Sequence, residues 1–149
     1  MGTGRAPSWL QRVTRLLGGA PHYPVLLVDG QLDEAHQLAA LLGEGFRVRI
    51  VGGLHAAIQA VADQAPILVV TELELPDGTG IDLLRALRVH PSTSKALLMV
   101  VSWRKGIDDK VAALLAGADD YLVKPVAPAA FVEEVKRLSY FKQILLPVW

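Results

Sequence analysis

The sequence predicts an α/β fold in which five short strands alternate with five helices. Continuously apolar segments of strand length recur along the chain, and amphipathic segments of helical period separate them. Strands without polar alternation are typical of a parallel sheet that helices cover on both faces. Right-handed crossovers leave few topologies for such a repeat. We therefore expect a flavodoxin-like (βα)5 doubly wound parallel sheet with strand order 2-1-3-4-5.

Each predicted strand is short and rich in apolar or β-branched residues. The first, third and fourth strands are wholly apolar, the second alternates between apolar and basic residues, and the fifth begins at a tyrosine. The predicted strands cover residues 25–28, 47–51, 67–70, 97–101 and 121–123.

Each predicted helix carries apolar residues three and four positions apart. Pro91 follows the third helix, Gly117 fits the C-terminal cap of the fourth, and Pro128 is tolerated in the first turn of the fifth. The large apolar residues of the fourth helix share one face, which consists of Ile107, Val111, Leu114 and Leu115. The predicted helices cover residues 32–42, 54–64, 81–89, 107–116 and 128–143.

Composition limits the class of protein. With 149 residues, of which 52% are hydrophobic, the chain can form one packed domain, and a disordered chain is excluded. It has no cysteine, so disulfides, zinc–thiolate sites and a thiol nucleophile are excluded. Its 15 basic residues balance 15 acidic ones, whereas proteins that bind nucleic acid usually have a basic excess. This charge balance leads us to expect no nucleic acid as a partner. We also expect a cytoplasmic protein with no membrane span, because the apolar runs have only strand length and the N-terminus lacks the apolar stretch of a signal peptide.

Two extensions flank the predicted domain. We divide the chain into an N-terminal arm, the domain and an apolar tail, at residues 1–24, 25–138 and 139–149. Within the arm, residues 9–17 are predicted as a short amphipathic helix. The apolar face of this helix consists of Trp9, Val13, Leu16 and Leu17. Arg12 and Arg15 lie off that face.

Both extensions leave alternatives open. The arm is either a strut docked on the domain or a remnant of a linker, a helix that binds a partner, or a helix at a membrane surface. The tail is apolar enough that it either folds back on the domain or forms an interaction surface.

Polar residues follow four of the predicted strands directly. Asp29 follows the first strand, Glu72 the third, Ser102 the fourth and Lys124 the fifth. In sheets of this topology the functional site lies beyond the carboxyl ends of the strands, at the switch between the first and third. We therefore expect two carboxylates, a hydroxyl and an ammonium group to converge on one crevice.

The segments around these residues resemble the receiver domain of two-component response regulators, the CheY-like domain, over about residues 24–138. VLLVDG resembles the strand that carries the acidic pair, and ILVVTELELPDGTGIDLL the segment with the phospho-accepting aspartate. LLMVVSW resembles the strand with the conserved hydroxyl, and AGADDYLVKP the segment with the switch aromatic, here Tyr121, and the Lys124-Pro125 pair. The resemblance implies transfer of a phosphoryl group from a kinase histidine to a carboxylate, with Mg²⁺ bound beside it.

The sequence departs from the family pattern at three positions of this site. Glu72 occupies the place of the acceptor aspartate, and its extra methylene moves the carboxylate outward by roughly 1.5 Å. In-line transfer is sensitive to displacements of the acceptor of about 1 Å. Gly30 replaces the acidic residue that the resemblance implies as a direct metal ligand, so only Asp29 and Glu72 remain as candidates and we expect weak or absent Mg²⁺ binding. Trp103 replaces a small residue that leaves a path to the acceptor.

Several roles are open for the individual residues. Glu72 is a solvated acid, the partner of Lys124, or a true acceptor, and Asp29 bonds nearby backbone N–H groups or Lys124. Ser102 could make only a local backbone hydrogen bond. Tyr121 either moves on activation or stays fixed, and Trp103 either covers the pocket or anchors a partner. Two further acids, Glu74 and Asp77, lie in the loop after the third strand and are expected in solvent. Either could replace Glu72 as the acceptor, but this is the least favoured alternative.

We expect a non-enzymatic pseudo-receiver with no cofactor and no catalytic residue, which acts by phosphorylation-independent protein contacts. The resemblance implies a partner or a second copy on the face formed by the fourth helix, fifth strand and fifth helix, together with the tail. One alternative is a working receiver with a non-standard acidic acceptor. Another is a flavodoxin-like cofactor-binding protein, which the acidic first loop disfavours because it lacks the residues that cradle a phosphate.

Overall fold

The computed structural model describes residues 23–43 and 45–141. Five parallel strands form the central sheet, in the spatial order β2-β1-β3-β4-β5. They are β1 Tyr23–Val28, β2 Phe46–Val51, β3 Leu68–Thr71, β4 Leu97–Ser102 and β5 Asp120–Val123. The predicted fold class and strand order are confirmed. The predicted arm helix, and the tail beyond Phe141, lie outside the described residues.

Five helices connect and follow the strands. They are α1 Leu32–Leu42, α2 Leu54–Asp63, α3 Gly80–Val89, α4 Ile107–Ala116 and α5 Pro128–Phe141. Gly117 ends α4 in the left-handed conformation with φ of 118°, as its place in the sequence predicted. Because α5 continues to Phe141, the first three residues of the predicted tail are helical.

Alternation along the buried strands divides the core into two layers. One face of the sheet packs against α2, α3 and α4, and the other packs against α1 and α5. Val25 and Leu27 of β1 point to the α1 and α5 layer, whereas Leu26 and Val28 point to the opposite layer. The central strands β3 and β4 are therefore apolar up to their last residues, Thr71 and Ser102, as expected for a sheet covered on both sides.

The apolar face of α4 is exposed. Ile107 is 76% exposed and Leu115 is 84% exposed, and Val111 and Leu114 are also exposed. Ala113 and Ala116 are the residues of α4 that are buried against the sheet. The sequence pattern correctly grouped the large residues on one face, but small residues make the contact with the core.

Arg88 joins the end of α3 to the loops that enter β4 and β5. Its guanidinium donates hydrogen bonds to the carbonyl oxygens of Ala96 at 2.7 Å, Gly117 at 2.9 Å and Ser94 at 3.1 Å. It also forms an ion pair with Asp119, with 2.9 Å between Nη2 and Oδ2. This one side chain fixes the starting position of both strands that end at the site.

The loop after β3 contains secondary structure of its own. A two-residue antiparallel ladder pairs Glu74–Leu75 with Gly78–Thr79. At its turn, the Asp77 carboxylate accepts hydrogen bonds from the backbone N–H groups of Leu54 at 2.7 Å and His55 at 2.9 Å, and so caps α2. These hydrogen bonds, that of His55 first, lower the pKa of Asp77 below its ordinary value. Asp77 is exposed, as expected, but it also ties this loop to α2.

Candidate functional site

The carboxyl ends of β1, β3, β4 and β5 bring the four predicted polar residues together. Asp29, Glu72, Ser102 and Lys124 are all buried. Every buried side-chain nitrogen and oxygen of the described residues has a hydrogen-bond partner, so this polar group is fully satisfied. The site is a connected network rather than a row of independent loop residues.

Lys124 is the centre of the network. Its Nζ lies 2.5 Å from Asp29 Oδ2, 2.5 Å from Glu34 Oε2 and 3.1 Å from Glu72 Oε2. Burial disfavours the charged amine, but the hydrogen bonds to these three carboxylates outweigh burial and raise the pKa of Lys124 above its ordinary value. One ammonium group is thus shared by three carboxylates, and the cluster carries an excess of negative charge. The Lys124–Pro125 peptide bond that follows is cis.

The carboxylate of Glu72 is held on both oxygens. Oε1 accepts hydrogen bonds from the Leu73 N–H at 2.7 Å and from the Ser102 hydroxyl. Oε2 pairs with Lys124 and accepts a longer hydrogen bond, 3.4 Å, from the Trp103 N–H. The hydroxyl of Ser102 therefore donates to a side chain across the crevice, and its oxygen accepts a backbone hydrogen bond from the Arg104 N–H at 3.1 Å.

The backbone around Glu72 requires a close approach to α3. A Cβ atom placed on Gly80 would lie 2.4 Å from the Glu72 carbonyl oxygen, so no larger residue fits there without displacing the loop. The hydroxyl of Thr71 donates to the same carbonyl at 2.8 Å. These contacts fix the direction in which the Glu72 side chain leaves the sheet.

Asp29 and Gly30 follow β1 at the edge of the crevice. Asp29 Oδ1 accepts a hydrogen bond from the Gln31 N–H at 2.8 Å, and Oδ2 is bound to Lys124. Gly30 is exposed, and a Cβ atom on it would lie 3.3 Å from the Pro76 ring. No cluster of three metal-ligating side chains with suitable geometry occurs among residues 23–43 and 45–141.

Sequence reasoning missed one member of the site, Glu34. It lies in the first turn of α1, where an acidic residue is also favoured by the helix dipole. Its hydrogen bond from Lys124 lowers the pKa of Glu34 below its ordinary value, against a smaller opposing effect of burial. The available signal was its position five residues after Asp29, in the helix that follows the first strand end.

Trp103 extends across the mouth of the crevice to the same glutamate. Its indole N–H donates to Glu34 at 3.1 Å from Oε1 and 3.3 Å from Oε2, and the side chain remains 55% exposed. The two proposed roles of Trp103, a cover for the pocket and an anchor for a partner, are therefore compatible in geometry.

The loop after β4 is attached to its surroundings at several points. The buried Tyr121 donates its hydroxyl to the carbonyl of Arg104, and burial raises the pKa of this hydroxyl. The guanidinium of Arg104 pairs with Glu74 at 2.6 Å and with Asp109 at 3.4 Å. The loop is thereby joined to the segment after β3 on one side and to α4 on the other.

Comparison with known proteins identifies the family. Residues 25–136 match the family model of the response regulator receiver domain. The chain is 42% identical over 102 residues to the KDP operon transcriptional regulatory protein KdpE of Escherichia coli (strain K12). The aligned segment covers 68% of this chain and 44% of that protein. It is 35% identical over 113 residues to the DNA-binding response regulator MtrA of Mycobacterium tuberculosis (strain ATCC 25618 / H37Rv), which covers 75% of this chain and 48% of that protein. The chain spans about half the length of these relatives or slightly less.

Solved structures agree with this assignment. A response regulator from Desulfuromonas acetoxidans superimposes with a TM-score of 0.70 at 27% identity, over 80% of this chain and 98% of that chain. A CheY-like receiver domain protein from Methanospirillum hungatei JF-1 has a similar fold, with a TM-score of 0.74 at 24% identity, over 82% of this chain and 97% of that chain. The chain belongs to the response regulator receiver family, the CheY-like domain of two-component signalling.

None of the helices within the described residues has the length and apolar character that a bilayer span requires.

Proposed function

We propose that this chain is a pseudo-receiver, in which the carboxylate of Glu72 takes the place of a phosphorylated side chain and no phosphoryl group is accepted. One observation carries the proposal. The Ser102 hydroxyl and the Lys124 ammonium, which the family resemblance assigns to the phosphoryl oxygens, both bind the Glu72 carboxylate instead. The groups that would hold an incoming phosphoryl group are already engaged.

Charge and length support this interpretation. Glutamate is one methylene longer than aspartate, so its carboxylate extends roughly 1.5 Å toward the space that a phosphoryl group on aspartate would fill. It carries one negative charge, against about −1.5 to −2 for a phosphoryl group. Glu72 therefore imitates part of the charge of the phosphorylated state, and it does so permanently.

The metal requirement of the family reaction supports the same conclusion. Hard cations such as Mg²⁺ need several free oxygen ligands. Gly30 supplies no side-chain oxygen, Asp29 is bound by Lys124 and the Gln31 N–H, and both oxygens of Glu72 are engaged. We infer that these residues do not fit a magnesium ion, and we derive no step through one.

Phosphorylation by a small-molecule donor tests the proposal. Incubation with acetyl phosphate and Mg²⁺ is expected to leave the intact mass of the protein unchanged, because acceptor and metal ligands are both altered. A receiver with an unaltered site, treated in parallel, shows that the donor is active. A hydroxylamine-sensitive increase of one phosphoryl mass, mapped to Glu72, would instead establish a working receiver with a glutamate acceptor.

A variant with the family pattern restored in the pocket tests whether the altered pocket residues alone prevent phosphorylation. Gly30→Asp, Glu72→Asp and Trp103→Ala together replace the missing ligand, shorten the acceptor and open the mouth of the crevice. We expect this triple variant to recover part of its Mg²⁺ affinity and to accept phosphate slowly. The Cβ distance of 3.3 Å from Gly30 to Pro76 allows the first substitution with a small adjustment of the proline ring.

A receiver without phosphorylation must act through surface contacts, and the exposed face of α4 supports that role. Four large apolar side chains lie together there, on the helix that contacts β5. A second copy of the chain is the occupant that we propose, on the face of α4, β5 and α5 together with residues 139–149. Burial of one leucine contributes about 1.5–3 kcal/mol before ordering costs.

Self-association should therefore depend on α4. Leu115→Ser is expected to weaken dimer formation by about tenfold or more, since each protomer loses one buried leucine. Light scattering over a concentration series measures this effect. Val89→Ser is the matched control, because Val89 is 82% exposed at the end of α3 and lies outside the proposed face. A monomeric parent protein, or equal effects of both substitutions, would exclude this interface.

A further inference from the structure

A groove of about 430 Å³ opens beside the site, between α1 and the start of α5. Leu38 and Leu41 of α1 form one wall, and Val126 and Pro128 form the other. The end of the groove that is next to the site is lined by Glu34, Lys124 and Trp103. Neither the family assignment nor the proposed function explains what covers this apolar surface.

The polar end of the groove is negatively charged. Three carboxylates share the single ammonium group of Lys124. Glu34 is the most accessible of the three, and its side chain is 32% exposed. The exposed indole of Trp103 lies against it. A carboxylate beside an exposed aromatic ring is a favourable site for a guanidinium group.

We infer that the N-terminal arm of this same chain occupies the groove, with the predicted helix of residues 9–17 along α1. That helix presents an apolar stripe for the apolar walls and an arginine for the carboxylate end. The arm has no acidic residue, and its charged side chains are Arg5, Arg12 and Arg15. The complementarity of both surface character and charge favours the arm over the tail, whose only charged side chain after Phe141 is Lys142.

The arm is long enough to reach. The described chain begins with β1, whose first residue, Tyr23, belongs to the same hydrophobic layer as Leu38 and Leu41. The six residues of β1 span about 20 Å, which is the distance from Tyr23 to the level of the site. Residues 18–22 can extend about 17 Å and a nine-residue helix adds about 13 Å. The helix would then run parallel to α1, with its N-terminal end near Glu34.

The two arginines of the predicted helix differ in their expected position around its axis. With about 3.6 residues per turn, Arg12 flanks the apolar stripe, whereas Arg15 lies nearer the opposite side. Of these two arginines, only Arg12 can therefore reach Glu34 while the stripe is in contact with the groove. An arm bound in this way competes in cis with any partner that uses the groove, whether or not Glu72 accepts phosphate.

Paramagnetic broadening in the full-length protein tests this inference. The chain contains no cysteine, so a spin label on Thr14→Cys is unique. We expect the amide signals of Leu38 and Val126 to lose most of their intensity, and the signal of Leu115 on α4 to keep its intensity. Arg12→Glu should restore the groove signals, and the matched Arg15→Glu should leave them broadened.

Four outcomes would overturn the inference. The groove signals could keep their intensity, or the two arginine variants could behave alike. Broadening that persists when labelled protein is mixed with isotope-enriched unlabelled protein would assign the groove to the arm of a second copy. Groove signals that shift on deletion of residues 142–149, and not on deletion of residues 1–17, would assign it to the tail.

Discussion

Replacement of Lys124 by methionine is expected to lower the free energy of unfolding by about 3–5 kcal/mol, the largest effect of any single substitution at the site. Methionine keeps much of the apolar stem but removes the charge that Asp29, Glu34 and Glu72 share. Removing one partner of a buried ion pair leaves its counter-charges without compensation, which is far more costly than the pair is stabilising. Denaturant unfolding at neutral pH measures the change.

A matched control separates this effect from the loss of a lysine as such. Lys136 is one-third exposed on α5 and lies 3.7 Å from Glu133, so Lys136→Met should cost less than about 1 kcal/mol. Adding Glu72→Gln to Lys124→Met should recover part of the loss, because one uncompensated carboxylate is then removed. Equal effects of the two lysine variants, or no recovery in the double variant, would refute the central role of the ammonium group.

Arg88→Ala should destabilise the protein by about 2–4 kcal/mol, the second-largest effect that we expect. The substitution removes the ion pair between Arg88 and Asp119 and the donor of hydrogen bonds to three backbone carbonyls. The loops that start β4 and β5 lose their common attachment to α3. Thermal or denaturant unfolding gives the magnitude.

The same helix offers the control for this prediction. Arg85 is largely exposed and its Nη1 lies 4.0 Å from Asp82, so Arg85→Ala should change stability by about 0.5 kcal/mol or less. If the two arginine variants unfold at the same denaturant concentration, the attachment through Arg88 contributes nothing.

The sheet could be predicted because burial of a strand determines the hydropathy of its residues. The strands β1, β3 and β4 are buried on both faces, so their sequences contain no polar alternation. Their order follows from the handedness of crossover connections. The exact starts of β1 and β2 could not be predicted, because Tyr23 and Phe46 join the ladder by pairing with each other.

The site was predictable only in part. Chain position placed Asp29, Glu72, Ser102 and Lys124 at strand ends, and parallel pairing brings strand ends together. Glu34 reaches Lys124 by the direction of its side chain from α1, which no periodic pattern encodes. For a similar reason, the sequence could not show that the apolar face of α4 points away from the core. Periodicity identifies an apolar face, but whether the core accepts that face depends on the space beneath it, and alanines fill that space here.

The proposed pseudo-receiver function also predicts how the rest of the domain behaves. Glu72 engages Ser102 and Lys124, and the loop that carries Arg104 is attached to Tyr121, Glu74 and Asp109. An equilibrium between two states needs a ligand that binds one state better than the other. With the phosphoryl-binding groups already engaged, we expect the domain to remain in one conformation.

Titration with beryllofluoride and Mg²⁺, followed by backbone NMR, determines whether the pocket accepts a phosphoryl-like ligand, because beryllofluoride imitates a phosphoryl group and needs an acceptor carboxylate with a bound metal. We predict one set of resonances whose positions at Ser102, Trp103, Tyr121 and Lys124 do not change on addition of either component. Large, saturable shifts at Ser102, Lys124 and Tyr121 would contradict the account, since they would show that the pocket accepts a phosphoryl-like ligand and that a conformational switch survives.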